Sequence, residues 1–452
     1  MKIKTVRVEN FRAYKNETTF ELNDLNVIVG KNDIGKSTIL EALDIFFNEN
    51  KGTIKIDKDD VNKKCKAEGN TETKISVVFE ELTIDATNPT TLESEYLLKL
   101  DNTLEIVKKY PNAGKEKVFI KANHPTNAFC SDLLLKKNPE LKKLLTEGIE
   151  CEDKTKNATI RKALWNHFST DLQLNEIEIE IAKLDAKNTW EQLKKHMPLY
   201  SLFQSDRKNS DGDSEVQNPM KLAVEEILKN AELRESLNKV AQEVEKKLIE
   251  VSNKTLEKLN EMNPEIAESL TPIIPSPESL KWIDVFKSVS ITGDEDIPIN
   301  KRGSGVKRLI LLNFFRAEAE RRQKETNVPS IIYAIEEPET SQHPNHQRKL
   351  IEAFIELSKA DKTQVILTTH SPAIVKMLDF EHLQLIKDGE EKEVINIERN
   401  NLPYPSLNEV NYLAFGESND EYHNELYGFI ESEEILTDFK NGKDTILYKK
   451  LW

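Results

Sequence analysis

Residues Lys2–Asn10, KIKTVRVEN, alternate apolar and polar side chains with period two, the pattern of a strand with one buried face. Glu17–Leu22 is expected to pair with it. Leu25–Gly30, LNVIVG, is apolar without alternation, as in a strand covered on both sides. A polar, glycine-containing loop follows, and Ser37–Phe47 then takes helical spacing, which makes a strand–loop–helix unit. Lys74–Leu82, Thr103–Lys109 and Glu116–Lys121 read as further strands and point to an antiparallel sheet. From Thr126 to His196 the pattern turns helical and charged, and Pro198–Pro219 reads as loop. Met220 to Asn260 is the longest helical pattern, with Leu233, Leu237, Val240, Val244, Leu248 and Val251 stepping by fours and threes. Such a seam fits a coiled coil, and equally a long surface helix packed on its own domain.

Beyond a turn-rich break at Pro272–Pro277, Leu280–Ile297 reads as two strands and Val306–Thr326 as a helix. Ser330–Ile335 is a buried strand, Gln347–Ala360 a helix and Gln364–His370 a second buried strand. Leu383–Lys387 and Glu393–Glu398 form a terminal hairpin. Strands alternating with helices at both ends predict an α/β fold, a mixed sheet with an antiparallel part, interrupted by an inserted long-helix subdomain.

The chain has 452 residues, 32% of them charged, and a net charge of −15. So acidic a chain is not a general phosphate-backbone binder, and contact with nucleic acid would need a local basic patch. Arg302, Lys307 and Arg308, and Arg316, Arg321 and Arg322, are the clusters available, for a DNA-facing groove or simply a solvated helix. Three cysteines without metal-ligand spacing suit a reducing cytoplasm. Met1–Glu9 is strand-like rather than a signal peptide, and no apolar run is long enough for a membrane span.

Gly30–Ser37, GKNDIGKS, fits G-x-x-x-x-G-K-[ST] at every fixed position and lies between a predicted buried strand and a predicted helix. The backbone N–H groups of such a loop form an anion nest at a helix N-terminus, and Gly30 and Gly35 allow the backbone to approach phosphate. Lys31 and Asn32 lie within the loop. Lys36 would reach the β- and γ-phosphates, Ser37 would give a hydroxyl to Mg²⁺, and Thr38 would add a hydroxyl at the α-phosphate. A chance match in a Gly/Lys loop is the plainer reading, and the flanking elements argue against it.

The run IIYAIEEPETSQHP, Ile331–Pro344, ends a buried strand in two acids. Mg²⁺ prefers hard oxygen ligands, so Glu336 at the strand tip is assigned to the metal. Glu337, one residue on, points differently and is assigned to the attacking water. An acidic loop would carry the same letters without that chemistry. His370, after the second buried strand, is placed to bond the γ-phosphate or the water; capping of the helix that begins at Ser371-Pro372 is the alternative.

Together the loop Gly30–Ser37, the acids Glu336-Glu337 before Pro338, and His370 resemble the ABC-type ATPase heads of the RecF/SMC/OLD group. IKTVRVENFRAY, Ile3–Tyr14, is similar to the first strand and turn of these heads, and SQHP, Ser341–Pro344, stands at their D-loop position. The resemblance covers the first 50 residues and roughly Lys301–Leu378. It implies ATP and Mg²⁺ as ligands, with ATP hydrolysis as the activity. It also implies a signature motif, for which KRGSGVKR supplies Gly303, Ser304 and Gly305. That motif would close the partner's ATP, making the protein a homodimer or higher oligomer. A Q-loop glutamine on the strand after the phosphate-loop helix is not identifiable.

The expected division is an N-terminal half-head at 1–125, an inserted helical subdomain at 126–270, a C-terminal half-head at 271–400, and a cap or partner-docking segment at 401–452. Only 82 residues follow His370, without an Asp-x-Asp pair, which departs from the nuclease-bearing OLD pattern. The resemblance is then to stand-alone ATPase subunits of anti-phage systems, such as that of Septu. It implies a cytoplasmic regulatory ATPase with a separate nuclease or toxin effector. A RecF-like DNA-repair ATPase is the alternative, and a transporter ATPase a more distant one. Tyr412, Phe415, Tyr422, Tyr427 and Phe429 in the tail are either a docking surface or the core of a small helical cap.

Overall fold

A computed structural model describes residues 1–49, 52–82, 92–146, 148–181, 186–204, 227–228, 231–262, 329–340, 344–387, 389, 391–397, 402 and 406–432. The chain divides into two compact units, Met1–Asp206 with Ala319–Trp452, and Arg207–Glu318. Among the described residues the strands, all in the first unit, are β1 (Lys2–Glu9), β2 (Thr18–Glu21), β3 (Leu25–Val29), β4 (Glu72–Glu80), β5 (Leu104–Pro111), β6 (Lys117–Pro125), β7 (Leu174–Glu180), β8 (Leu199–Phe203), β9 (Ile331–Glu336), β10 (Thr363–Thr369), β11 (Leu383–Lys387) and β12 (Glu393–Asn396).

They form two sheets, ordered β2-β1-β4-β5-β6-β7 and β12-β11-β3-β10-β9-β8. Every pairing in the first is antiparallel. In the second, β8, β9, β10, β3 and β11 run parallel and only β12 is antiparallel. All five residues of β3 and all seven of β10 are buried, as expected of strands covered on both faces.

The helix Lys36–Asn48 joins the sheets. Its Ile39, Leu43 and Phe46 belong to one apolar cluster with Val6, Val77 and Ile106 of the first sheet and Ile332 and Ile366 of the second. Gln364 of β10 adds a polar tie. Its amide accepts from Ile3 N at 2.7 Å and donates to Ile3 O at 2.9 Å and Asn23 O at 3.0 Å, all from buried or half-buried positions.

Two strands depart from the sequence reading. β7 falls in the stretch expected to be helical, although LNEIEIE alternates. Its inward Ile177 and Ile179 lie between Glu176, Glu178 and Glu180, and two of the glutamates pair with lysines: Lys121 of β6 and Lys99, before β5, meet Glu176 at 2.8 and 3.5 Å, and Lys109 of β5 pairs with Glu178. A charged outer face protects a sheet edge and disguises the strand. β8 falls in the stretch expected to be loop; it is short and largely buried, and it pairs with β9. The first unit thus runs on to Asp206, past the expected boundary at 126.

Apart from residues 227–228, the second unit is described by its helix Ala231–Met262, 32 residues and about 48 Å long. Leu233, Val240, Val244 and Leu248 of the expected seam are exposed. The expected elements from Pro272 to Thr326 lie outside the described residues.

Candidate functional site

The parallel sheet brings the candidate residues to one edge. β3 lies between β10 and β11, and β9 lies on the other side of β10, so the loop after β3 and the ends of β9 and β10 emerge side by side. This is where open parallel sheets place ligand sites.

The loop is braced from the turn that follows β1. Gly35, which caps the helix Lys36–Asn48, has φ 108°, and a Cβ there would come within 3.2 Å of Tyr14 Oη and 3.3 Å of Ala13 Cβ. The Tyr14 hydroxyl donates to Gly35 O at 2.9 Å, and burial pushes the Tyr14 phenol up in pKa. Asp33 is also left-handed, at φ 61°. Successive turns of this kind point N–H groups into one concavity. Lys31 and Asn32 are exposed on the loop and Thr38 is buried in the helix.

The Lys36 side chain is only 4% exposed, and its Nζ donates to Gly30 O at 3.0 Å and Lys31 O at 2.8 Å. Burial lowers its pKa, and Glu337, 3.8 Å away, is the main opposing influence. A buried ammonium held by two carbonyls gains most from an anion.

The Ser37 hydroxyl donates to Glu336 Oε1, and Glu336 ends β9 opposite Thr368 of β10. A hydroxyl and a carboxylate oxygen in contact, next to an anion nest, are a donor set that suits Mg²⁺. At Glu337 the chain turns sharply. Its φ is 40°, and its N–H donates to Thr368 O at 3.1 Å and Thr368 Oγ1 at 3.2 Å. That turn separates the two acids: Glu336 faces Ser37, and Glu337 Oε1 stands 3.1 Å from His370 Nδ1. Lys36, Ser37, Glu336, Glu337 and His370 therefore form one constellation. The candidates Gly303, Ser304 and Gly305, both basic clusters and Ser341–His343 lie outside the described residues.

Two features escaped the sequence reading. Gln204 directly follows β8. Since Phe203 pairs with Ile335, Gln204 is level with Glu336 on the adjacent strand. Its amide donates to Glu41 Oε1 at 2.8 Å; Arg12 pairs with the same carboxylate and donates to Asp60 at 2.6 Å. The signal was a lone glutamine at the end of an unrecognised strand, not on the strand directly after the phosphate-loop helix. Beside the loop, past Ala13, lies a cleft of about 420 Å³ lined by Arg12, Val61, Asn62 and Lys64 among others.

The tail forms two helices, Leu407–Phe415 and Asp420–Ser432. Asn411 donates to Pro372 O at 3.2 Å, just after His370, and a Cβ on the cap residue Gly416 would stand 3.8 Å from Lys31 Nζ. Tyr422 is buried, whereas Tyr412 and Tyr427 are exposed.

A family profile described as AAA ATPase domain matches residues 1–375. Endonuclease GajA of Bacillus cereus is 23% identical over 381 residues, 84% of this chain and 57% of that protein. The OLD nuclease of Thermus scotoductus is 33% identical over 107 residues, 24% of this chain and 19% of that protein. In both, the match takes in less than two thirds of the relative. Among solved structures, the SMC head domain from Thermotoga maritima is 14% identical with a TM-score of 0.38, covering 88% of this chain and 100% of the other. An Smc head from Pyrococcus furiosus is 12% identical with a TM-score of 0.40, covering 88% and 96%. The chain belongs to the AAA ATPase domain family, as an ABC-type ATPase of the RecF/SMC/OLD group.

Proposed function

We propose that this chain hydrolyses ATP at the edge of the parallel sheet, as the dimeric regulatory subunit of an anti-phage system with a separately encoded nuclease or toxin effector. The observation that carries the hydrolytic reading is the meeting of Lys36, Ser37, Glu336, Glu337 and His370. The Lys36 ammonium exchanges its two carbonyl partners for phosphate oxygens. Ser37 and Glu336 hold Mg²⁺, which when bound neutralises charge on the phosphates. Glu337 takes a proton from the water as its oxygen attacks the γ-phosphorus and the bond to ADP breaks. His370 holds the water or a γ-phosphate oxygen, and Gln204, level with Glu336, is within the same edge to orient either. The base and sugar are proposed to enter the cleft past Ala13, whose lining includes Arg12, Asn62 and Lys64.

Glu337→Gln should still bind ATP while kcat falls by about 10²–10⁴-fold; Lys36→Ala should lose ATP binding. Normal turnover by Glu337→Gln would sink the assignment.

Dimerisation is proposed through heads that sandwich two ATP molecules, each closed by Gly303–Gly305 of the other copy. The exposed seam of the helix Ala231–Met262 is offered as a second contact. Light scattering on Glu337→Gln with ATP tests this, and a monomer there refutes it. The regulatory role rests on the motif resemblance. Two of the curated relatives, GajA and the OLD nuclease, are named as nucleases, so the separate effector is tested directly: the purified chain should leave plasmid DNA intact with Mg²⁺ or Mn²⁺. The basic clusters between Arg302 and Arg322 support a second reading, a RecF-like DNA-binding ATPase. Tight duplex binding that weakens steeply with salt would favour it.

A further inference from the structure

We propose that Glu339, the third acid of the IEEPE run, is a positioning residue that sets His370 against Glu337. The ladder between β9 and β10 ends at Glu336 and Thr368. Beyond that pair, Glu339 takes over. Its side chain is 4% exposed, and its Oε1 accepts from Thr369 Oγ1 at 2.6 Å and from His370 N at 3.2 Å. The same oxygen is 3.7 Å from His370 Nδ1. Thr369 Oγ1 in turn accepts from Ser371 N at 3.0 Å, so three consecutive residues, Thr369 to Ser371, hang on one carboxylate. From the other side, Gln347 of the helix Pro344–Ser358 donates to Glu339 O at 3.2 Å.

A residue kept only to fill this space need not be an acid. The second oxygen, Oε2, is buried without a hydrogen-bond partner among the described residues, and burial pushes the carboxyl up in pKa. Burying a carboxylate on these terms is unfavourable unless its bonds hold something in place. What they hold is the backbone of His370, whose imidazole faces Glu337 at 3.1 Å. Glu339 also begins the segment that leads to the D-loop position, so a shift there would reach His370 through a single side chain.

This inference rests on the reading of Glu337 and His370 as the pair that handles the attacking water. The test compares the full-length chain with Glu339→Leu, His370→Ala and the double variant, in kcat, in ATP affinity and in amide hydrogen exchange. The expected result has three parts. Glu339→Leu, which removes the accepting oxygen, lowers kcat by about tenfold or more with ATP affinity within about twofold. The double variant is no slower than His370→Ala, because Glu339 acts only through that residue. Exchange at the amides of His370 and Ser371 speeds up in Glu339→Leu while that of β3 does not. If Glu339→Leu does not fold, Thr369→Val, which removes the hydroxyl between Glu339 and Ser371, takes its place with the same expectations. Losses that multiply in the double variant, or unchanged exchange at His370, would overturn the inference while leaving the hydrolytic site standing. Wild-type turnover by His370→Ala would overturn both.

Discussion

Glu337 has a left-handed backbone, at φ 40°, where a glycine would be easier to accommodate. Such a conformation costs on the order of 1–3 kcal/mol and persists only where the surroundings impose it. Here two bonds to Thr368 impose it, and the result is that adjacent carboxylates serve different neighbours. The other left-handed turn of consequence, at Gly35, has φ 108° and is tight for a side chain, whose Cβ would meet Tyr14 Oη at 3.2 Å and Ala13 Cβ at 3.3 Å. Gly35→Ala should therefore weaken ATP binding by at least about tenfold and lower stability by about 1–3 kcal/mol. Isothermal titration and thermal melts would measure these, and an unaltered affinity would show that the loop tolerates a shift there. The residues of the phosphate loop and the acid pair were legible because each motif is contiguous and its chemistry follows from its spacing. Gln204 was not legible, since nothing near it in sequence marks it. Glu339 was visible as an acid, but its burial and its hold on Thr369 and His370 depend on a strand neighbour about 30 positions away.

At the scale of elements, periodicity carried the long strands and the helices Lys36–Asn48 and Pro344–Ser358 to within a few residues. It failed for β7, whose acids answer lysines across the sheet, and for β8, whose five residues are too few to fix a period. The link between the sheets was also beyond a linear reading. Gln364 stands at the start of an apolar run, and only the fold reveals that its amide meets Ile3 and Asn23. Gln364→Leu would take this partner from Ile3 N and Ile3 O, while Asn23 O keeps the Asn26 amide at 2.8 Å. Each such loss in a buried setting costs about 1–3 kcal/mol. The variant should be less stable to urea by about 2 kcal/mol or more, and a change below about 1 kcal/mol would mean that this tie adds little to the packing between the sheets.

For the molecule as a whole, the sequence conveyed an α/β head interrupted by helices, but not where the interruption begins, because β7 and β8 carry the first unit on to Asp206. The order in which the chain supplies its sheet has a consequence for synthesis. β3, which feeds the phosphate loop, is made within the first 30 residues, yet both of its ladder partners, β10 and β11, come from residues 363–387. Until the ribosome has passed that point, a strand that is apolar on both faces has two open edges. A nascent head would have to wait for hundreds of residues with its most aggregation-prone segment unpaired. Chains stopped at residue 340 should accumulate in the insoluble fraction, and coexpression of residues 341–452 as a separate polypeptide should return part of them to solution. If the short chains stay soluble alone, β3 has a shelter during synthesis other than its final neighbours.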